Sequence, residues 1–292
     1  MALVRDFEGG DWMLQVATTA PQSTALDERS RHLRRLIVRG LEGGNRGHVG
    51  SSMSLVEILR VLFDDVLRCR PAQPDWPDRD RCILSKGHGC LALYALLADK
   101  GFFPAEELTK FCAADGILGG HPDRNKVPGV EASTGALGHG LSMGIGFALN
   151  ARHVGSGARV FVILGDGECN EGSVWEAAMC AAKHRLAGLT ALVDYNKHQS
   201  YASTREVQDL EPFADKWRSF GWAVREVDGH DVDALRKVLG GVPFEADKPS
   251  AVICHTVKGK GASFAENNMA WHHKNKLSDE QADALLAAIE EA

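Results

Sequence analysis

Two polar residues each follow a largely apolar run of the chain. Asp166 lies in the turn Gly165-Asp166-Gly167 after the run from Val160 to Leu164, and Asn196 follows the run from Leu189 to Val193, 30 residues further on. If the runs are adjacent parallel strands, both side chains can reach one small cation, together with a backbone carbonyl just beyond Asn196. These three oxygen donors leave room for two phosphate oxygens and a water. The pattern predicts an octahedral magnesium site that holds a diphosphate.

A glycine-rich turn after a strand also occurs in dinucleotide-binding proteins. Their G-x-G-x-x-G pattern, however, needs glycine where Asn170 stands. A turn with only a structural role would account for the glycines, but it would leave Asp166 and Asn196 as coincidences. The pattern therefore favours a metal and diphosphate site over both alternatives.

The two apolar runs belong to one strand–helix–strand unit. The helix from Val174 to Leu186, with Ser173 as its expected N-cap, connects them, and such a crossover implies a parallel sheet. Further strands are expected over Arg81 to Leu84, Trp222 to Val227 and Ser250 to Cys254, and further helices around Leu33 to Leu41 and Leu55 to Leu62 and over Leu91 to Ala98, Leu141 to Arg152, Asp231 to Leu239 and Asp279 to Glu290. We therefore predict an α/β fold with a parallel sheet flanked by helices on both faces.

The domain organisation is expected to be simple. Residues 1–25 lack periodicity and are predicted to form an N-terminal arm, and residues 26–292 are predicted to form one domain. The segment Gly119 to Gly140 is rich in Gly, Pro and His, and it is predicted to be a long loop with a function.

Composition excludes several classes of partner. The formal net charge of −6, with no basic stripe, argues against nucleic acid. No apolar stretch approaches the ~18 residues of a membrane span, and the N-terminal residues do not form an apolar run after a basic start. We expect no membrane partner and a cytoplasmic location.

The seven cysteines are scattered, with no C-x-x-C pair to bind zinc or cycle as a dithiol. They are expected to be reduced thiols, mostly in the core. Cys169 is expected to be partly reachable, because it lies in the turn after Asp166. No basic or histidine neighbour is evident to activate it, so we interpret it as a small turn residue and not a nucleophile.

Several motifs together resemble a known family. Gly165-Asp166-Gly167 with Asn196 resembles the thiamine diphosphate signature, and the residues around it resemble the amino-terminal half of transketolases. The resemblance covers about Leu26 to Asn275 and includes Gly47-His48, Leu84-Ser85-Lys86-Gly87-His88, Gly120-His121-Pro122, Thr134-Gly135-Ala136-Leu137-Gly138-His139-Gly140, Val227-Asp228-Gly229-His230-Asp231 and Trp271-His272. Each motif is weak alone, and their order and number make the assignment strong.

The resemblance implies a role for each matching position. Thiamine diphosphate and Mg²⁺ are the implied cofactors. Asp166, Asn196 and the His198 carbonyl would hold the metal. The Gly167 amide would contact the diphosphate, and Gly135 and Leu137 would support the aminopyrimidine ring. Glu171 and Glu176 match acidic residues that lie at the dimer interface of the family and link its two cofactors.

Four histidines are implied to act in the site. His88 and His272 would lie at the diphosphate and the reactive carbon, whereas His48 and His121 would face the hydroxyls of the substrate. The sequence pattern agrees, because these four are attached to glycine-rich or loop segments at predicted strand ends, where they can donate hydrogen bonds and move protons. His139, His230 and His273 are left without a role.

Two departures from the family pattern bear on these assignments. His139 replaces a glutamine that is common in longer transketolases, and His273 stands where the family often has glycine. Either His272 or His273 can therefore be the site histidine. We prefer His272, because it directly follows Trp271 as in the motif.

The resemblance also implies a missing half. In transketolases the glutamate that activates the cofactor, the aromatic residue on the pyrimidine and the arginines for the substrate phosphate come from a second domain. The expected partner is therefore a C-terminal, pyrimidine-binding transketolase subunit, in a heterotetramer with two copies of each chain. The implied reaction moves a two-carbon ketol unit from a ketose to an aldose acceptor.

Two other classes of protein stay open from the sequence. One is the alpha subunit of another heteromeric thiamine enzyme, of the 2-oxo acid dehydrogenase or decarboxylase type. The set His48, His88 and His121 argues against it, because an acyl substrate offers fewer hydroxyls. The other is a scaffold that has lost catalysis, against which intact Asp166 and Asn196 argue. The sugar or sugar derivative is not identified: phosphorylated, sulfonated and branched ketoses all stay open.

Overall fold

A computed structural model describes residues 24–44, 46–272, 274 and 277–292 of the chain. Its five strands form one sheet in the order β1-β2-β3-β5-β4, and every neighbouring pair is parallel. The strands are β1 Arg81–Leu84, β2 Val160–Gly165, β3 Leu189–Tyr195, β4 Ala223–Asp228 and β5 Ser250–His255. All five strands expected from the sequence are present. The predicted arm over residues 1–25 lies almost wholly outside the described residues.

Ten α-helices surround the sheet within the described ranges. They are α1 Glu28–Gly44, α2 Val49–Met53, α3 Val56–Val61, α4 Cys90–Asp99, α5 Gly140–His153, α6 Gly172–Lys183, α7 Thr204–Gln208, α8 Phe213–Ser219, α9 Val232–Gly240 and α10 Asp279–Glu291. Several begin at side-chain caps. Asp231 accepts from two backbone N–H groups of α9, and Ser278 with Gln281 forms a capping box at the start of α10.

The sheet separates two apolar layers. Alternate residues of the fully buried strand β2 face opposite sides. Phe161 and Ile163 belong to the same apolar layer as residues of α1, α3, α4, α9 and α10, whereas Val160, Val162 and Leu164 belong to the layer that contains residues of α5, α6 and α8. Both faces of the sheet are therefore covered, as an all-parallel sheet requires. The predicted fold class, a parallel sheet flanked by helices on both faces, is confirmed.

Two local expectations were wrong, and some short helices were not predicted. Ser173 lies inside the first turn of α6, and its hydroxyl donates to the carbonyl of Gly138 instead of capping the helix. Cys169 is fully buried and not partly reachable, and burial raises the pKa of its thiol well above the usual value. Helices α7 and α8 were not expected, because runs of five and seven residues show little periodicity.

No helix among the described residues is long and apolar enough to cross a membrane.

Candidate active site

A cavity of about 100 Å³ opens at the carboxyl edge of the sheet, where the loops after the parallel strands converge. Its lining comes from loops and helix ends that are far apart in the sequence. The lining residues are Ser51, Lys86, His88, Leu137, Gly165, Asp166, Gly167, Glu168, Asn196, His198, Gln199, Ser200, Lys258 and His272. Asp166, Asn196 and His198, the predicted metal ligands, are among these lining residues.

Asp166 and Asn196 face this cavity from neighbouring strand ends, since Gly165 of β2 pairs with Asp194 of β3. The Asp166 carboxylate accepts the backbone N–H groups of Gly167 at 2.6 Å and Lys197 at 2.5 Å, so it lies directly against the segment after β3. Asn196 Oδ1 accepts the His198 N–H at 3.1 Å. The carboxylate, the amide and the turn to His198 are thus brought together as expected.

Asp194, a residue without a role in the sequence analysis, organises the floor of the site. Its fully buried carboxylate accepts from the Lys86 ammonium, from Ser54 Oγ at 2.7 Å and from the Thr256 hydroxyl. It also accepts the Asn196 amide group at 3.3 Å. Because the Asn196 amide nitrogen is held this way, its oxygen is left on the side of Asp166 and His198.

Lys258 is a second residue that the sequence analysis missed. Its ammonium donates to the His198 carbonyl at 2.9 Å and lies 3.4 Å from His272 Nε2. With Lys86, it supplies two buried cations to the cavity. The strand-end argument could have found it, because Lys258 follows β5 in the glycine-containing segment Val257-Lys258-Gly259-Lys260-Gly261.

Burial shifts the pKa values of two charged groups in the cavity. Burial, together with the negative charge of Asp194, raises the pKa of Asp166 to about 6. Burial, together with the positive charge of Lys86, lowers the pKa of Lys258 to about 8. A cation beside Asp166 would offset the cost of burying its negative charge, and an anion beside Lys258 would offset the cost of burying its positive charge. The electrostatics therefore suit a bound cation together with a bound anion.

Glu168 joins three loops of the site. Its buried carboxylate accepts the Ser85 hydroxyl after β1, the Gly138 N–H at 2.9 Å and the Gly165 N–H at 3.0 Å. Burial raises its pKa. Gly138 has a positive φ of 82°, and a Cβ there would lie 2.4 Å from Ser173 Oγ, so only glycine allows this approach. Glu168 thereby fixes the loop that carries Leu137 to the strand ends.

The four histidines with predicted roles fall into two groups. His88 and His272 line the cavity, and the ring of His48 packs edge-on against that of His88, with 5.2 Å between the ring centroids. Burial, and next the charge of Lys86, lowers the pKa of His88 well below its usual value, so it is neutral at physiological pH. His273 lies outside the described residues.

His121 lies outside the cavity lining. Its side chain is exposed, and its ring packs beside Gly135, where an added Cβ would lie 3.0 Å from His121 Cδ2. Its carbonyl accepts the Tyr94 hydroxyl at 2.8 Å. His121 and Gly135 are therefore neighbours, but neither is among the residues that line the cavity.

The two predicted interface glutamates lie at the start of α6. Glu171 is the N-cap residue of this helix, and both it and Glu176 are exposed. Neither side chain lines the cavity. Their exposure is compatible with a contact to another chain.

The residues present fit a magnesium diphosphate group. Asp166, Asn196 and the His198 carbonyl are oxygen donors of the kind that Mg²⁺ prefers. No cluster of three His, Cys, Asp or Glu side chains suited to a metal occurs in the described part of the chain. Ser51 Oγ and Gln199 Nε2 are buried polar atoms of residues that line this cavity, and neither has a hydrogen-bond partner among the described residues.

The parallel sheet, with a polar cavity at its carboxyl edge and a buried Asp and Asn at adjacent strand ends, defines a nucleotide- or diphosphate-binding α/β protein. Residues 27–288 match the family described as the thiamine diphosphate binding domain of transketolase. The chain belongs to this transketolase domain family, as the motifs indicated.

Similar proteins include separate subunits of transketolases. The chain is 41% identical over 269 residues to the 6-deoxy-6-sulfo-D-fructose transketolase subunit SqwG of Clostridium sp. (strain MSTE9), covering 92% of this chain and 98% of that protein. It is 37% identical over 269 residues to an apulose-4-phosphate transketolase subunit of Phocaeicola vulgatus, covering 92% of this chain and 95% of that one.

Solved structures show the same fold in longer chains. Transketolase from Pichia stipitis, in complex with sedoheptulose 7-phosphate, has a TM-score of 0.80 and 29% identity, and transketolase from Leishmania mexicana has a TM-score of 0.81 and 27% identity. The comparisons cover 90% and 92% of this chain but only 44% and 45% of those structures. The chain therefore spans less than half of a full-length transketolase.

Proposed function

We propose that this chain is the diphosphate-binding subunit of a two-component transketolase, which moves a two-carbon ketol unit from a ketose to an aldose. The observation that carries the proposal is that Asp166 and Asn196 line the same cavity as the buried lysines Lys86 and Lys258. Carboxylate, amide and ammonium groups at one strand edge suit a metal-bound diphosphate. The full-length match to proteins named as transketolase subunits supports the division into two chains.

Mg²⁺ would be held by Asp166, Asn196 and the His198 carbonyl in this proposal. The Gly167 N–H and the Lys258 ammonium would bind diphosphate oxygens, and Mg²⁺ would neutralise part of their charge. Thiamine diphosphate, when bound, supplies the carbon nucleophile and the electron sink for the two-carbon unit. The part of this chain is to position that group and to exclude water from the reacting carbon.

The histidines would act on the substrate. His88 is neutral, so one of its ring nitrogens can accept a proton or hydrogen bond while the other donates. His48, packed on His88, and buried His272 would donate to oxygens that gain negative charge during the reaction. His121 would contact substrate hydroxyls from the loop above the cavity, next to Gly135. Leu137 and Gly135 would support the aminopyrimidine ring.

The partner would be a C-terminal, pyrimidine-binding subunit. Its activating glutamate would enter the open side of the cavity. Glu171 and Glu176, exposed on α6, would lie at the interface that joins two halves of the assembly. A heterotetramer with two copies of each chain would place one cofactor in each of two sites.

The substrate class is a ketose or ketose derivative. One relative is named for 6-deoxy-6-sulfo-D-fructose and another for apulose 4-phosphate, so sulfonated and phosphorylated ketoses are the first compounds to test. All seven cysteines are free thiols, and on that ground we propose a cytoplasmic location, which cell fractionation tests.

The decisive experiment is reconstitution. The purified chain, a candidate partner chain and their mixture are each assayed with magnesium thiamine diphosphate on a panel of ketoses and one aldose acceptor, with pyruvate as the control substrate. We expect ketol transfer only in the mixture, together with a complex of two copies of each chain by light scattering. Transfer by this chain alone would overturn the two-component proposal, and decarboxylation of pyruvate without ketol transfer would overturn the transketolase assignment.

A further inference from the structure

A network of three buried side chains lies outside the cavity and has no part in the proposed function. Arg34 on α1, Glu57 on α3 and His230 before α9 are each at most 3% exposed. The guanidinium of Arg34 donates to both oxygens of Glu57, at 2.6 and 3.0 Å. Burying three such groups is costly unless all of them are paired, so the network needs an explanation.

The hydrogen bonds determine the tautomer of His230. Its Nε2 accepts the backbone N–H of Val257 at 2.8 Å, so Nε2 carries no proton. The proton is therefore on Nδ1, which donates to Glu57 Oε2 at 2.8 Å. His230 thus links the carboxylate of Glu57 to the loop that follows β5.

The same network holds this loop at a second point. Arg34 Nε donates to the Lys260 carbonyl at 2.9 Å, and Arg34 Nη2 donates to the Met53 carbonyl at 3.0 Å. The loop is therefore tied at Val257 and at Lys260 to one buried unit. Lys258 lies between these two ties.

The position of the loop determines where the Lys258 ammonium can reach. The lysine stem passes over Gly50, where an added Cβ would lie 3.0 Å from Lys258 Cγ, and the Gly259 N–H donates to the Gly50 carbonyl at 3.1 Å. At the far end, the ammonium contacts the His198 carbonyl in the cavity. A displaced loop would carry the ammonium away from that position.

We propose that His230 is a positioning residue: through its bond to the Val257 N–H, it fixes the loop from Val257 to Lys260 and so directs the Lys258 ammonium into the cavity. The proposal about the loop stands on its own contacts. Only the identity of the anion that Lys258 meets rests on the proposed function.

Two substitutions separate the two hydrogen bonds of His230. In His230→Asn the amide group can take the place of Nδ1 and donate to Glu57, but the backbone N–H of Val257 loses its acceptor. In His230→Gln the amide oxygen can take the place of Nε2 and accept from Val257, while the bond to Glu57 is lost. The control is Leu285→Ala on α10, which removes buried volume far from the loop and destabilises the fold.

Hydrogen exchange on the chain alone tests the loop directly. In His230→Asn we expect the amides of Val257 to Lys260 to exchange about fivefold to a hundredfold faster than in the wild type, the usual effect of a buried donor that loses its partner. His230→Gln should remain closer to the wild type. Equal exchange of the loop in His230→Asn and Leu285→Ala, at matched loss of melting temperature, would overturn the proposal.

Binding of magnesium pyrophosphate then tests the consequence for the cavity. Calorimetry should show about tenfold weaker binding of magnesium pyrophosphate to His230→Asn than to the wild type. Adding His230→Asn to Lys258→Met should cause no further loss of affinity, because both changes remove the same ammonium from the cavity. Additive losses would overturn the route through Lys258. If the wild-type chain binds no magnesium pyrophosphate, the proposed function fails, whereas the exchange rates still decide the role of His230.

Discussion

The buried ion pair between Asp194 and Lys86 allows a quantitative prediction. The two side chains are at most 2% exposed and in direct contact, and the carboxylate also accepts from Ser54, Thr256 and Asn196. In Asp194→Asn the side chain keeps its shape and one acceptor oxygen, but the buried Lys86 ammonium loses the carboxylate that it contacts. Breaking a buried pair in this way typically costs ~3–5 kcal/mol.

That cost is a large share of the stability of a single domain, which is ~5–15 kcal/mol. At ~2–4 °C per kcal/mol, the melting temperature of Asp194→Asn should fall by about 6–20 °C. The matched control is Asp215→Asn, which removes the charge from an exposed pair with Arg218 and should cost ~1 kcal/mol or less. Differential scanning calorimetry without ligand measures all three proteins.

A second substitution isolates the pair from the other hydrogen bonds. Lys86→Met added to Asp194→Asn removes the unpaired ammonium, so the double variant should regain at least half of the lost melting temperature. If Asp194→Asn melts within about 2 °C of the wild type, the ion pair does not stabilise the fold as proposed. The same conclusion follows if the decreases in melting temperature of Asp194→Asn and Lys86→Met simply add in the double variant.

Three further predictions concern the site and the network. Asp166→Ala should abolish binding of magnesium thiamine diphosphate in the presence of the partner, and unchanged affinity by calorimetry would contradict the metal assignment. His121→Ala should lower kcat by ~10²-fold or more with little change in cofactor affinity, because His121 lies outside the cavity lining; equal loss of both would remove it from the substrate role. Burial opposes the ionisation of Glu57, but the charge of Arg34 and the hydrogen bond from His230 outweigh it and hold the pKa of Glu57 well below its usual value of 4.5. A carboxyl group whose pKa is lowered by folding stabilises the fold while it is ionised. Urea titrations should therefore show the free energy of unfolding falling as the pH drops below about 4.5, and falling less steeply in Glu57→Gln.

The fold could be predicted from the sequence because each strand carries a local pattern. The run that forms β2 is continuously apolar and those that form β3 and β5 are largely so, since both faces of these strands are buried, and the helices between them carry regular periodicity. The order of the strands could not be predicted. β5 lies between β3 and β4, and no local pattern indicates which strand a later one will join.

The site could be predicted only in part, for a related reason. Asp166 and Asn196 were recognisable because each stands in its own motif at a strand end. Asp194 and Glu168 were not, because their importance comes from contacts between distant segments. Asp194 meets Ser54 across 140 residues of sequence, and Glu168 meets Ser85 across 83.

His230 shows how far such contacts extend. Its motif was visible in the sequence, but its partners are a glutamate 173 residues away and a backbone N–H 27 residues away. Neither Glu57 nor Val257 is itself among the residues that line the cavity, and yet both determine the position of Lys258, which is. A residue of this kind cannot be assigned from its own type and neighbours, because its effect is exerted through the loop it holds. Residues that contact a ligand are therefore easier to predict from sequence than residues that position the side chains which make those contacts.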